Sequence, residues 1–498
     1  MDSPPNEKMT QGYAVAPTTT NSDTEQKGKE HGTSDLYLDP KKERKMMLKF
    51  DFYAVGLLGL LYMLANLDRS NLGNANIAGM PEDLGLVGNQ FGTATTLLFA
   101  TYVTLEAPAA IILKVVGPRY LLTGCAFSWG LCTLSLGFVK NVTGLYICRL
   151  FIGLFEASLI PCINVYLGMV YKKSERGKRS SVIFSFSALS SAFGGILAFG
   201  LTQIHGPNGF EGWRWLFVVE GVLTLVVVPM FFWFFPTVPT EAWFLTEEEK
   251  GMMVTRYAQN PHWGNDEKFS WGAILSVVKD PKFYAFVVFQ FSVDISLYAF
   301  TTFLPAIVKG LGYKSVQANL MTVPIYFWGL FFFFFTAYMS DRTGYRGFWI
   351  AGPLLCLIVS LAILISVDSL GVRYFGCFVL VMGIYPTTGM SMMWLNDNVA
   401  QHYKRAAMLG MTLSMANTAG VAVGQIFTTQ SGPRYIKGLT ISLGLAVVAL
   451  CVVVGLVVSM TIVNKRRAAR IQTAIDEGNP LPEQPELGDY DVYFKYSI

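Results

Sequence analysis

The stretch RLFIGLFEASLIP, residues 149–161, sets an arginine and a glutamate seven positions apart among apolar and small residues. It continues on both sides into a segment, 143–170, long enough to cross a bilayer as a helix. A charge at the bilayer centre costs roughly 2.5–3.5 kcal/mol on insertion scales, so neither Arg149 nor Glu156 belongs on a lipid-facing surface. Seven residues at the helical rise put Glu156 about 10.5 Å from Arg149 on one helix face, too far for a local ion pair. Both are therefore expected to face a polar lumen. Gly153 and Ala157 accompany them, and such small residues let a neighbouring helix approach closely.

The rest of the chain has the same character. Of 498 residues, 52% are hydrophobic and 14% charged, against about 25% charged in a soluble protein. Apolar runs such as LGLAVVALCVVVGLVVSMTIV (443–463) reach the length that spans hydrocarbon. Twelve such windows lie near 50–70, 90–113, 119–138, 143–170, 180–204, 213–235, 283–308, 318–339, 347–366, 373–396, 406–429 and 438–463. The expected fold is an all-α integral membrane protein of twelve transmembrane helices in two pseudo-symmetric six-helix bundles.

The bundles would occupy 50–236 and 283–464, joined by a cytosolic loop, 237–282, that carries TEEEK. The flanks, 1–49 and 465–498, read as cytosolic tails, with 1–40 and 478–498 polar enough to be disordered. Basic residues cluster in KKERKMMLK before the first span and NKRRAAR after the last, and in the loops after spans two, four, eight and ten. By the positive-inside rule both termini face the cytosol. Two of those loops repeat: Gly117 and Gly344 lie 344 − 117 = 227 residues apart, and Arg179 and Arg405 lie 405 − 179 = 226 apart. Nearly equal offsets argue for two related halves, the layout of many secondary transporters.

Several function classes are disfavoured. A net charge of +4, with its basic residues clustered by loop, does not indicate a nucleic-acid partner. The seven cysteines all fall in apolar spans and read as small buried hydrophobes. The N-terminus has no apolar h-region, so the first helix is expected to act as the insertion signal. Without a Walker, HExxH or CxxC motif, neither ATP nor a metal or redox cofactor is expected. Four histidines are too few for the interfacial cluster of a membrane enzyme. Tails of this size and polarity argue against a nutrient sensor built on a folded cytosolic domain.

SDRTGYR (340–346) resembles the loop motif of the major facilitator superfamily, in which an acid caps one helix end and basic residues clamp the next. Its first-half counterpart, KVVGPRY, lacks the acid. Finer motifs resemble the anion:cation symporter family, and within it the fungal allantoate, nicotinate and pantothenate permeases. These are LDRSNLGNA (67–75), YVTLEAPAAIILKVVGPR (102–119), RLFIGLFEASLIP with VYKKSERGKR (170–179), GWRWLFVVEG (212–221) and GPRYIKG (432–438). The match runs from about residue 50 to 465. It implies alternating access by rocking bundles and proton-coupled uptake of a small carboxylate at the plasma membrane, by a monomer. Export of an acidic metabolite on the same scaffold is the alternative.

The resemblance further assigns Asp68 and Glu156 to proton coupling and Arg69 and Arg149 to the anion, with Asp341, Arg342 and Arg346 as the conformational loop motif. A fixed pair pinning the first span to the fourth is the competing reading of the four intramembrane charges. Asn398, in WLNDN, is a candidate substrate contact or a helix cap. Asp294 is a candidate cavity residue, Glu106 and Glu220 are readable as hydrogen-bonding glue, and His205 as interfacial.

Overall fold

The computed structural model describes residues 39–204, 210–258, 271–400, 402–432, 434–479, 481–482 and 484–498. The expectations for residues 1–38 and for His205 lie outside them. The chain is a succession of helices: α1 (Pro40–Ile77), α2 (Met80–Asp83), α3 (Gln90–Val116), α4 (Pro118–Leu136), α5 (Val142–Glu156), α6 (Leu159–Val170), α7 (Lys173–Leu201) and α8 (Gly212–Phe234). After these come α9 (Glu247–Ala258), α10 (Trp271–Lys279), α11 (Pro281–Lys309), α12 (Ser315–Thr343), α13 (Arg346–Ser366), α14 (Leu370–Asp397), α15 (His402–Ile426) and α16 (Ile436–Asp476). Among the described residues ten spans are long and apolar enough to cross a membrane, α5 and α6 together forming one. With α3 and α4, every one of the twelve expected spans lies on a helix.

Two equivalent signals start and turn the two bundles. Asp39 and Asp280 each precede a proline and accept the backbone N–H of Lys41 (2.9 Å) and Lys282 (3.0 Å). This capped Asp-Pro-Lys entry opens α1 and α11, the first helix of each bundle. Gly117 (φ +83°) and Gly344 (φ +74°) turn the chain into α4 and α13 with a backbone that favours glycine. Within the first bundle α1 packs on α7, α3 on α5 and α4 on α8; in the second, α11 packs on α15, α12 on α14 and α13 on α16. The bundles meet where α1 crosses α11, α3 crosses α15 and α7 crosses α12. Exchanging the halves maps the last two crossings onto each other, as a pseudo-twofold requires.

These crossings are tightest at the face opposite the termini. A Cβ built on Gly73 would overlap the Thr302 carbonyl oxygen, and Gly92 and Gly424 abut backbone to backbone. Asn89 and Thr96 on α3 and its entry donate to the carbonyls of Gly424 (3.1 Å) and Val421 (2.9 Å) on α15. Backbone packing and hydrogen bonds thus join the two bundles at this far face.

The terminal face carries two polar clamps. On the first bundle the buried Arg256 of α9 pairs with Glu43 on α1 and Glu175 on α7, and Lys172 also holds Glu43 at 2.7 Å. On the second, Asp489 lies between Lys282 and Lys404, and Lys404 reaches Asp280 at 2.7 Å. Asn464 on α16 both donates to Tyr496 O and accepts from Tyr496 N, each at 2.9 Å. The expected tail boundaries are therefore corrected. α1 begins at Pro40, α16 runs to Asp476, and residues 484–498 are docked, because their aspartate and backbone neutralise and satisfy polar groups at the helix ends.

Burial works against the charge of Asp489, but hydrogen bonds and charge from Lys282 and Lys404 outweigh it and hold the carboxyl below its usual range. A carboxyl held low in the folded state stabilises docking above its unfolded pKa, and the contribution is lost as pH falls through the folded value. Protease resistance of the C-terminal segment should therefore hold at neutral pH and fail in acid below about pH 4. Asp489→Asn should release the segment already at pH 7. Full resistance in that variant would remove the lysine clamp as its cause.

Candidate functional site

Pro161 lacks an N–H and its ring crowds the carbonyl four residues earlier, so the fourth span breaks at Ala157 and Ser158. Glu156 is the last residue of α5, beside that break. A Cβ on Gly153 would overlap the Leu98 carbonyl oxygen, and Thr101 donates to Leu150 O at 3.0 Å. Close packing of α5 on α3 thus turns Arg149 and Glu156 inward, as their spacing suggested.

They meet the end of α1. Arg69 Nε donates to Glu156 Oε2 at 2.8 Å and Nη2 forms an ion pair with the same oxygen at 2.7 Å, while Glu156 Oε1 has no hydrogen bond. Arg69 also lies 4.7 Å over the Tyr102 ring. Its side chain is 17% exposed and Glu156 0%, so the guanidinium meets the cavity and the carboxylate sits behind it. Arg149, 1% exposed, also lines the cavity between the bundles: Nη1 donates to Asp68 O at 3.4 Å, and Nε and Nη2 are unbonded. The four expected charges are therefore together, but in two layers.

The cavity lies between the bundles and encloses about 1310 Å³ of empty space, its opening included. Arg69, Tyr102 and Phe99 line it from the first bundle; Asp294, Tyr298 and Asn417 line it from the second. Asp294 accepts from Gln290 Nε2 at 2.8 Å. Tyr298 donates to Asn417 Oδ1 at 2.6 Å, and Asn417 donates across the bundles to Glu106 Oε2 at 3.2 Å. Glu106 is thus inter-bundle glue and Asp294 a cavity residue. Glu220 accepts from Asn71 on α1.

Asn398 is not at the cavity. Its side chain donates to Trp394 O (2.8 Å) and Ser497 O (3.2 Å) and accepts from Ser497 N (2.9 Å), so it anchors the C-terminal segment. The sequence leaves a helix-end amide open as substrate contact or cap, because it does not show what covers that end. In the loop motif, Arg346 at the start of α13 pairs with Asp341 (3.2 Å) and with Asp397 at the end of α14. Arg342 is exposed. The sequence reading passed over Tyr102, Tyr298 and Asn417, which carry no charge. The available signals were an asparagine inside an apolar span and a tyrosine one helical turn after Asp294.

Two six-helix bundles around a largely apolar cavity that carries a few charged and polar side chains define a membrane transporter. The chain belongs to the major facilitator superfamily: the profile of the Major Facilitator Superfamily matches residues 58–425. It is 37% identical to a high-affinity nicotinic acid transporter of Saccharomyces cerevisiae, over 91% of this chain and 85% of that protein. It is 36% identical to an uncharacterized transporter of Schizosaccharomyces pombe, over 94% and 92%. A solved bacterial homologue of the human lysosomal transporter Spinster, inward-facing and unoccupied, shares the fold with a TM-score of 0.61 at 16% identity, over 83% of this chain and 96% of that one. Such proteins are carriers and not enzymes.

Proposed function

We propose that this carrier takes up a small organic carboxylate by proton symport, with a planar ring acid such as nicotinate the best-supported class and allantoate and pantothenate next. The observation that carries this is Arg69, a cavity-lining guanidinium flanked by the Tyr102 and Phe99 rings. A guanidinium suits a carboxylate by its two-pronged geometry, and the rings suit a flat apolar body. The similarity to a nicotinic acid transporter supports the same class.

Coupling follows from the ion pair. A substrate carboxylate that engages Arg69 leaves Glu156 buried without its counter-ion, a state relieved by taking up a proton. Release of both to the other side restores the pair. Asp68 is the second proton-coupling carboxylate, and Arg149, which also lines the cavity, is the second anion contact. Asp341 and Arg346 link α12, α13 and α14 so that they move together.

The test is uptake of radiolabelled carboxylates into proteoliposomes at two external pH values, with and without a protonophore. Wild-type uptake should rise in acid and collapse with the protonophore. Arg69→Lys keeps the charge but loses the fork and the ring contact, and a charge-assisted bond of roughly 1.5–3 kcal/mol corresponds to about a ten- to hundredfold loss of apparent affinity. Unchanged affinity in the lysine variant would remove Arg69 from the substrate path.

The same reading puts both termini and the inter-bundle loop on the cytosolic side of the plasma membrane, supported by the basic residues of the terminal face. A cysteine introduced at the exposed Glu248 should react with an impermeant reagent only after cells are permeabilised. Labelling of intact cells would invert the topology.

A further inference from the structure

Behind the Arg69–Glu156 pair the first bundle buries a second carboxylate beside Asp68. Asp68 on α1 is 2% exposed and Glu220 on α8 is 1% exposed, and they stand within hydrogen-bonding reach of each other. Asn71 satisfies Glu220 Oε1. Glu220 Oε2 and both Asp68 carboxylate oxygens accept no hydrogen bond, and the buried Thr133 hydroxyl of α4 within reach of Asp68 is likewise unbonded. Two buried acids whose facing oxygens are all acceptors repel each other unless a proton lies between them.

Charge balance gives the same number. The groups facing the pair are Arg149 and Glu156 from α5, Arg69 from α1 and Cys132 from α4; α7 presents Gly194 near Asn71, without charge. Arg69 and Glu156 neutralise each other. That leaves one guanidinium, Arg149, against two carboxyls, a set that is neutral when the two together hold one proton. A buried cluster with net charge is strongly disfavoured. Among the described residues no group of three or more His, Cys, Asp or Glu could hold a metal ion.

We propose that Glu220 and Asp68 share one proton, so that Glu220 is the second half of a carboxyl dyad in the coupling machinery. This deepens the symport reading and rests on it for its role in transport. The dyad lies next to Glu156 yet apart from the cavity wall. Its proton is held while Arg69 exchanges Glu156 for a substrate carboxylate, which keeps Asp68 from becoming a second, competing counter-ion for Arg69.

Infrared spectroscopy of the purified full-length protein in lipid bilayers, in water and heavy water, reads the carbonyl stretch of protonated carboxyls. Glu220→Gln and Asp68→Asn should each remove the signal of one carboxyl, and the double variant should remove no more than either single one. An unchanged band in Glu220→Gln, or single losses that add in the double variant, overturns the shared proton. Should one variant fail to assemble, the other makes the same test from the opposite partner. The transport arm uses radiolabelled nicotinate: Glu220→Gln should lose pH-driven accumulation while retaining exchange. A wild type that shows the shared proton but is indifferent to the pH gradient sinks the symport reading and not the dyad. A proton-driven wild type whose Glu220→Gln variant keeps its band does the reverse.

Discussion

Gly92→Val is expected to reduce transport about a hundredfold or more, with the protein still delivered to the membrane. Gly92 on α3 and Gly424 on α15 meet backbone to backbone, and a Cβ at either would overlap a carbonyl of the other helix. A backbone carbonyl inside a packed helix cannot swing aside as a flexible side chain can. The strain falls on one conformation alone, because the contact joins the two bundles and is absent once they part at that face. Overpacking of this kind costs about 1–3 kcal/mol or more, and near 3 kcal/mol a two-state balance shifts by about a hundredfold. The variant should populate the state open at the far face. A cysteine at the cavity-lining Thr95 should then react with an impermeant thiol reagent from outside, while the same cysteine in the Gly92 background should not. Wild-type transport, or loss of transport without that new reactivity, would mean that closure does not depend on this crossing.

Glu156→Gln is expected to separate exchange from accumulation. The carboxylate, itself 0% exposed, holds Arg69 through a hydrogen bond from Nε at 2.8 Å and an ion-pair contact with Nη2 at 2.7 Å on one oxygen. Glutamine keeps the size and one acceptor but cannot take or lose a proton. Arg69 is then no longer neutralised, so a substrate carboxylate should bind about tenfold more tightly, the effect of losing a competing charge-assisted bond. Exchange of internal for external substrate needs no proton release and should persist. Net accumulation needs it and should be lost, leaving uptake flat across pH. Accumulation with unchanged pH dependence would make Glu156 a structural charge and leave Asp68 with its partner as the coupling site. With a substrate carboxylate on Arg69 the charge balance behind it is restored, so the infrared band of the dyad should persist in the substrate-loaded variant.

The legible part of the fold was the part written in local chemistry. Apolar runs near 20 residues, basic loop ends and the offset between Gly117 and Gly344 were enough for twelve helices in two halves, because a bilayer forces each span to satisfy its own backbone. Arg149 and Glu156 were legible for the same reason: a charge in hydrocarbon has few permitted surroundings. Their ordering was not legible. Helical spacing puts both on one face of the fourth span but says nothing of depth, which depends on how closely Gly153 lets α5 sit against α3.

Asn398 shows the limit most plainly. By itself it is a polar residue at a helix end, and only the returning C-terminal segment, 99 positions away, makes it an anchor. Glu220 and Asp68 are 152 residues apart by subtraction (220 − 68), and each alone reads as an isolated membrane acid. The sequence by itself determined the class of fold, the two-half repeat and the set of intramembrane charges. Only the tertiary structure decided which charges meet the cavity, which carboxylate is neutralised behind them and which two acids lie buried side by side. Side-chain burial and pairing arise where distant helices cross, and crossing geometry is set by small-residue contacts that no single span contains.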